Sequence, residues 1–134
     1  WSPAWPYKSS LTGETCQQFA DEYEKRTGNQ WTQPLFHHAI FEMAAATLKS
    51  AKDPMDKKSI IEAAKVLKVD TISGPIDFSA PVDAKGMHVH PNIYKSPLCG
   101  GQWVKGTTHK YDLVMVSTVR APGIDVQAQI QPLA

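Results

Sequence analysis

The stretch Thr32-Gln33-Pro34-Leu35-Phe36-His37-His38-Ala39-Ile40-Phe41-Glu42-Met43-Ala44-Ala45-Ala46-Thr47-Leu48-Lys49-Ser50-Ala51 decides how the chain is read. Phe36, Ile40, Met43, Ala44, Thr47 and Leu48 recur at helical spacing, and Ala39, Phe41 and Ala45 widen the apolar stripe until it nearly closes. The spacing predicts one helix, the longest and most deeply buried of the chain. Its polar face is narrow, formed by His38, Glu42 and Lys49. Pro34 suits a first helical turn, where a missing N–H is harmless, and Thr32 is placed to cap it. A helix apolar on most sides must be covered from several directions, and its small alanines let neighbouring elements come close.

Upstream, residues 1–11 read as an aromatic, proline-rich connector, with Trp-Ser-Pro-Ala-Trp-Pro-Tyr at its start. Thr12 is expected to cap a helix running to about Thr27, with Glu14 in the first turn, Lys25 and Arg26 in the last, and Gly28 ending it. Phe19, Ala20 and Tyr23 give that helix one modest apolar stripe, so it should pack on one side only. Asp21-Glu22 and Glu24-Lys25-Arg26 read as its solvated face.

Downstream, Asp53-Pro54-Met55-Asp56 opens a third helix with Asp53 as N-cap and Met55, Ile60, Ile61, Ala64 and Leu67 as its buried stripe. Ile72 to Phe78 alternates and reads as a strand. Residues 79–91 read as loop, Ile93 to Pro97 and Gly101 to Val104 as extended, and Lys105 to Thr108 as a turn. Tyr111 to Ser117 is the strongest strand signal, with Leu113, Val114, Met115 and Val116 continuous enough for burial on both faces. Three helices followed by a few strands provide too little sheet for helices this apolar. A parallel sheet contributed by residues outside this sequence is the expected cover.

Composition narrows the function classes. The 134 residues suit a single domain or one lobe of a larger protein, and 42% hydrophobic with 20% charged residues is ordinary for a globular chain. Fourteen basic against 13 acidic side chains leave a formal charge of +1, which makes no electrostatic case for nucleic acid or an anionic membrane. No apolar run is long enough to span a bilayer. Cys16 and Cys99 permit one disulfide at most and lack metal or redox spacing; two free, partly buried thiols are the favoured reading, and a bridge in an oxidising compartment is the alternative. The first residue is Trp1 and no signal sequence is present, which reads as a processed or truncated chain.

Catalytic signals are weak. His88-Val89-His90 would put two imidazoles on one face of a strand, but no acid or cysteine stands at matching spacing to complete a metal site. Asp77 and Asp83 do not form a credible carboxylate pair for hydrolysis. No Gly-x-Ser-x-Gly, phosphate-binding glycine loop or Cys/His nucleophile arrangement occurs. The reading is of a protein that is not an enzyme, with no metal site and no cofactor.

An ordered set of segments carries a resemblance. Ser9-Ser10-Leu11-Thr12-Gly13, Ala20-Asp21-Glu22-Tyr23-Glu24, Thr27-Gly28, Gln30-Trp31-Thr32-Gln33-Pro34-Leu35, Gly74-Pro75-Ile76-Asp77-Phe78 and Pro97-Leu98-Cys99-Gly100-Gly101-Gln102-Trp103 follow one another. Over essentially its whole length the chain resembles the C-terminal portion of type I periplasmic solute-binding proteins of ABC transporters, the branched-chain amino-acid-binding kind. The resemblance implies an α/β fold, part of a two-lobed architecture whose remaining parallel sheet lies outside this sequence. Residues 1–11 would be an interlobe crossover, 12–78 the final helices and strand of the first lobe, and 79–134 the return strands and tail of the second.

It further implies a periplasmic location and capture of a small solute by hinge closure. That solute would be an amino acid, an amide, or a small aromatic or aliphatic carboxylate. Partners would be the N-terminal remainder of the parent chain and a membrane permease, with no nucleic acid. A ligand-sensing receptor or regulatory domain on the same fold is the alternative. Carried over by position, the ligand-binding residues are Trp5, Tyr7, Gln33, Phe36 and His37. The residues themselves agree, since aromatic rings beside a helix N-terminus make an oriented site for a small carboxylate or aromatic ligand. The bland readings are that Trp1 and Trp5 only pack, that Phe36 is core, and that His37 bonds a neighbouring backbone group.

Overall fold

A computed structural model describes residues 1–80, 82, 93, 94, 96 and 98–132. Three helices, α1 (Cys16–Thr27), α2 (His38–Ser50) and α3 (Lys57–Lys65), precede four strands, β1 (Lys68–Thr71), β2 (Gly74–Asp77), β3 (Gly100–Lys105) and β4 (Tyr111–Ser117). The strands form two separate antiparallel pairs, β1 with β2 and β3 with β4. The fold is therefore mixed α/β, three helices with two small antiparallel sheets.

The helix starts are set by local hydrogen bonds. Thr15, three residues after the expected Thr12, caps α1: Gln18 N donates to the Thr15 hydroxyl, and Thr15 N donates to Gln18 Oε1 at 2.9 Å. This reciprocal box outcompetes Thr12 because Gly13 lies at φ 78, a left-handed conformation that no helix can pass through. At the other end Gly28, at φ 70, closes α1 by donating to Glu24 O at 2.8 Å, as its sequence position predicts. In α3 the cap is Asp56, which accepts from Lys58 N and Ser59 N, whereas Asp53 shapes the preceding turn by accepting from Met55 N at 2.8 Å. Met55 is consequently 90% exposed, and the buried side of α3 is Ala63, followed by Leu67 beyond its end.

The central stretch departs furthest from its reading. It is a five-residue 3-10 turn, Gln33–His37, that runs into α2, and Thr32 makes no side-chain cap. Its burial is inverted. Glu42, assigned to the polar face, is 0% exposed, while Ile40 and Phe41 are 53% and 67% exposed. The cause lies in what packs against α2. The loop at Ser10 and the turn at Ile72 present backbone N–H groups, and the Glu42 carboxylate receives both: Ser10 N and Ser10 Oγ donate to Oε1, and Ile72 N donates to Oε2 at 2.9 Å. His38 lies on the same side, its Nε2 2.9 Å from Ser9 Oγ and its ring 4.7 Å from that of Phe19. A carboxylate can be buried when charge-assisted donors satisfy it, and here they do.

The expected single strand from Ile72 to Phe78 is instead the turn and second strand of a hairpin, with Val69 opposite Ile76 and Thr71 opposite Gly74. Thr71 Oγ1 donates to Gly74 O at 2.7 Å and accepts from Ser73 N, which closes that turn. β4 has the limits its sequence predicts, but only Met115 on it is buried; Leu113, Val114 and Val116 are half-buried. Its partner β3 places Trp103 opposite Leu113 and Gly101 opposite Met115. Ile93, Tyr94 and Ser96 belong to no strand, and His88, His90, Asp83, Gly86, Pro91 and Pro97 lie outside the described residues.

Two buried clusters hold these parts together. Trp1, Cys16, Ala20, Trp31, Ala39 and Ile72 form one, and Met115, Ala121 and Ile124 the other. Trp5, Tyr7 and Leu113 pack against both. Gln30 Nε2 donates to Tyr111 O at 2.8 Å and Trp31 stacks on Trp103, which fixes the β3–β4 hairpin to the loop after α1. No helix among the described residues is long and apolar enough to cross a membrane.

Candidate ligand cleft

The N-terminal segment turns on itself, with Trp5 N donating to Ser2 O at 3.1 Å and Ala4 N to Ser2 Oγ. Both of its tryptophans line one cavity, Trp1 from the core and Trp5 from a half-buried position. Trp1 is core: its indole N–H donates to Ile72 O at 3.1 Å, and its ring meets Phe19 and Trp31 edge-on. Trp5 is half-buried, edge-on to Tyr7 with ring centroids 6.0 Å apart, and faces an open cavity of about 410 Å³. That volume falls within the range of small-ligand sites.

α2 lines one side of the cavity with Ala39, Ile40 and Met43, and Phe36 extends it. These four stand at i, i+3, i+4 and i+7, so helical spacing counted from Phe36 identifies them together. The β1–β2 hairpin contributes Ser73 and Ile76, and the segment before β3 contributes Tyr94, Ser96, Leu98 and Cys99. Only the fold could bring these last groups to the site. Gln33 completes the lining, its Oε1 accepting from the Trp1 amino group at 2.7 Å.

The structure thus brings Trp5, Gln33 and Phe36 to one cavity and leaves Tyr7 and His37 off it. Tyr7 is taken up by packing over Gly74, where φ is 104 and an added Cβ would lie 3.1 Å from the ring. Burial raises the Tyr7 pKa. His37 is exposed, with Nδ1 2.9 Å from Pro34 O and its ring stacked on Phe36 at 4.1 Å. Phe36 itself is 44% exposed. The helical start is a 3-10 turn, Gln33–His37, that runs directly into α2, with His38 N donating to the carbonyls of Leu35 and Phe36 and no side-chain cap from Thr32.

The two thiols differ in reactivity. Cys16 is fully buried, its Sγ donates to Ile72 O, and desolvation pushes its pKa up to about 11. Cys99 is half-buried on the cavity wall, and neither cysteine is bridged. Burial and a raised pKa make Cys16 the inert thiol, and Cys99 is the more exposed of the two.

A second polar cluster sits apart from the cleft. Glu24, read as part of a solvated face, turns inward: Oε1 accepts from Trp31 N at 2.9 Å and lies 3.0 Å from His109 Nε2. His109 Nδ1 lies 3.4 Å from Asp112 Oδ1. Burial pushes the His109 pKa down, but the hydrogen bonds and charges of Glu24 and Asp112 outweigh it and leave the pKa raised. The Asp112 carboxyl is held low, first by the N–H of Thr107. Asp77 is held at about 2 by Ser79 and Lys68, as a turn-forming carboxylate. No group of three His, Cys, Asp or Glu side chains among the described residues is placed to hold a metal ion.

No protein family, curated protein or solved structure matches the chain.

Proposed function

We propose that the protein is the extracytoplasmic solute-binding component of an ABC importer, capturing a small solute in the periplasm and delivering it to a membrane permease. The observation that carries this reading is the cleft, in which Trp5, Gln33 and Phe36, carried over from the resemblance, meet at one cavity of ligand size. The apolar side of α2 supports it further. Phe41 and Leu48, off the cavity, are exposed on a helix whose other side is satisfied, which suits burial by a sheet from the N-terminal remainder of the parent chain.

In this reading residues 1–11 cross between lobes, 12–78 complete the first lobe and 79–134 return to the second. A solute touching both lobes would favour the closed state by its differential affinity for it. The test is a screen of amino acids, amides and small carboxylates against the protein by thermal shift, followed by calorimetry on Trp5→Ala with the best solute. A stabilising solute whose affinity falls in Trp5→Ala supports the reading; no stabilising solute in any class contradicts it.

A further inference from the structure

We propose that Glu24, His109 and Asp112 form a proton-operated latch, which docks the β3–β4 hairpin on α1 while the histidine is charged and releases it when the proton leaves. His109 sits in the turn between β3 and β4 with a carboxylate at each ring nitrogen. Glu24 of α1 lies 3.0 Å from Nε2, and Asp112 of β4 lies 3.4 Å from Nδ1. An imidazolium donates from both nitrogens. A neutral imidazole has one N–H, so its other nitrogen turns a lone pair towards a carboxylate. Loss of one proton therefore breaks one bond and removes the charge that both acids share. The side chains of His109, Glu24 and Asp112 are 23%, 27% and 31% exposed, so water screens them only in part.

The surroundings let this pair of bonds open without harm. Each acid keeps a backbone donor when the ring lets go: Trp31 N for Glu24 at 2.9 Å and Thr107 N for Asp112 at 3.0 Å. Release thus orphans neither carboxylate. Burial lowers the His109 pKa, the bonds and charges of Glu24 and Asp112 outweigh it, and the ring holds its proton above the ordinary 6.5. Asp21 of α1 lines the same recess, alongside the neutral Gln17, Ser2 and Gln127, and its negative charge also favours the imidazolium. The hairpin's ties to the loop after α1, Gln30 Nε2 on Tyr111 O and Trp31 on Trp103, involve no group that titrates near neutrality. Leu98 and Cys99 of the cleft wall stand directly before β3, so release reaches the cleft whatever solute it takes.

The test is hydrogen exchange of the protein at about pH 6 and about pH 8.5, on either side of the transition, read by mass spectrometry as protection factors, which remove the intrinsic pH dependence of exchange. A lone two-stranded hairpin is only marginally stable, so undocking should open residues 98–117 to exchange. Protection there should fall roughly three- to tenfold as pH rises, while α3, which contributes nothing to the latch, keeps its own. His109→Gln should hold residues 98–117 at the low level at both pH values. Glu24→Gln, which keeps an acceptor for Trp31 N, should flatten the response as well. Wild-type protection independent of pH, a pH response that survives in either variant, or an equal loss in α3 overturns the latch.

Discussion

The two sides of α2 carry opposite chemistry from the one their residues suggest. One side holds Glu42 and His38, and the rest of the chain closes over it through Ser9, Ser10 and Ile72. The other holds Ile40, Phe41 and Leu48, and stands in the open next to the cleft. Amphipathicity says which residues share a face, but the neighbours decide which face turns inward. Where the neighbours are loops with unpaired N–H groups, a carboxylate is the better core residue, and the apolar side is left for other surfaces.

Breaking the polar side should have the largest effect. Glu42→Ala removes the acceptor of two backbone N–H groups and one hydroxyl, and orphaned buried donors carry about 1–3 kcal/mol each. The expected loss is on the order of 3 kcal/mol in a denaturant titration, with Glu42→Gln milder because it keeps an acceptor oxygen. A loss under about 0.5 kcal/mol in Glu42→Ala would mean that the carboxylate does not organise α2. His38→Ala should come next, at about 1 kcal/mol, for one hydrogen bond to Ser9 and a ring contact with Phe19.

The His109 cluster sharpens the comparison from a distance, because it ties α1 to the β3–β4 hairpin without touching α2. Its folded pKa is raised above the ordinary 6.5, so its contribution is fully present below that value and is lost as pH rises through the folded pKa. Asp112 has the opposite sign: its folded pKa is depressed, and its contribution disappears as pH falls through that value. The stability difference between wild type and His109→Gln, followed by thermal melts from pH 5 to 9, should shrink as pH rises. A difference independent of pH would reduce the cluster to packing. The smallest effect is expected on the apolar side: Phe41→Ser should change the stability of these residues by no more than about 0.5 kcal/mol, the usual range for a surface site. A loss near that of His38→Ala would place Phe41 inside a core.

The limits of several elements were legible because their signals are local. Gly28 ends α1, and Tyr111–Ser117 is a strand, for reasons contained in a few adjacent residues. The cap of α1 was displaced to Thr15 because the Thr15–Gln18 pair and the Gly13 conformation compete with Thr12, and both lie within the same turn. The β1–β2 hairpin was hidden because alternation from Ile72 to Phe78 reads the same on either side of a tight turn. Burial was the least legible property: nothing in the pattern of α2 announces that Ser10 and Ile72 will present N–H groups to Glu42. Of the cavity lining, Trp5, Gln33 and Phe36 are residues the sequence singles out as ligand contacts, and Ile40 and Met43 follow from Phe36 by helical count. Ser73, Tyr94, Leu98 and Cys99 reach it only through the long-range packing of the hairpin and the approach to β3.

The most direct measurement compares two exposed phenylalanines four and one residues on either side of Ile40. Phe36 lines the cleft and Phe41 does not. Calorimetric titration of the wild type, Phe36→Ala and Phe41→Ala with the best solute of the thermal-shift screen should show affinity falling roughly ten- to hundredfold in Phe36→Ala, from about 1–3 kcal/mol of lost apolar burial. Affinity in Phe41→Ala should match the wild type. Equal affinity in all three proteins would contradict the assignment of this cleft as the place where the solute binds.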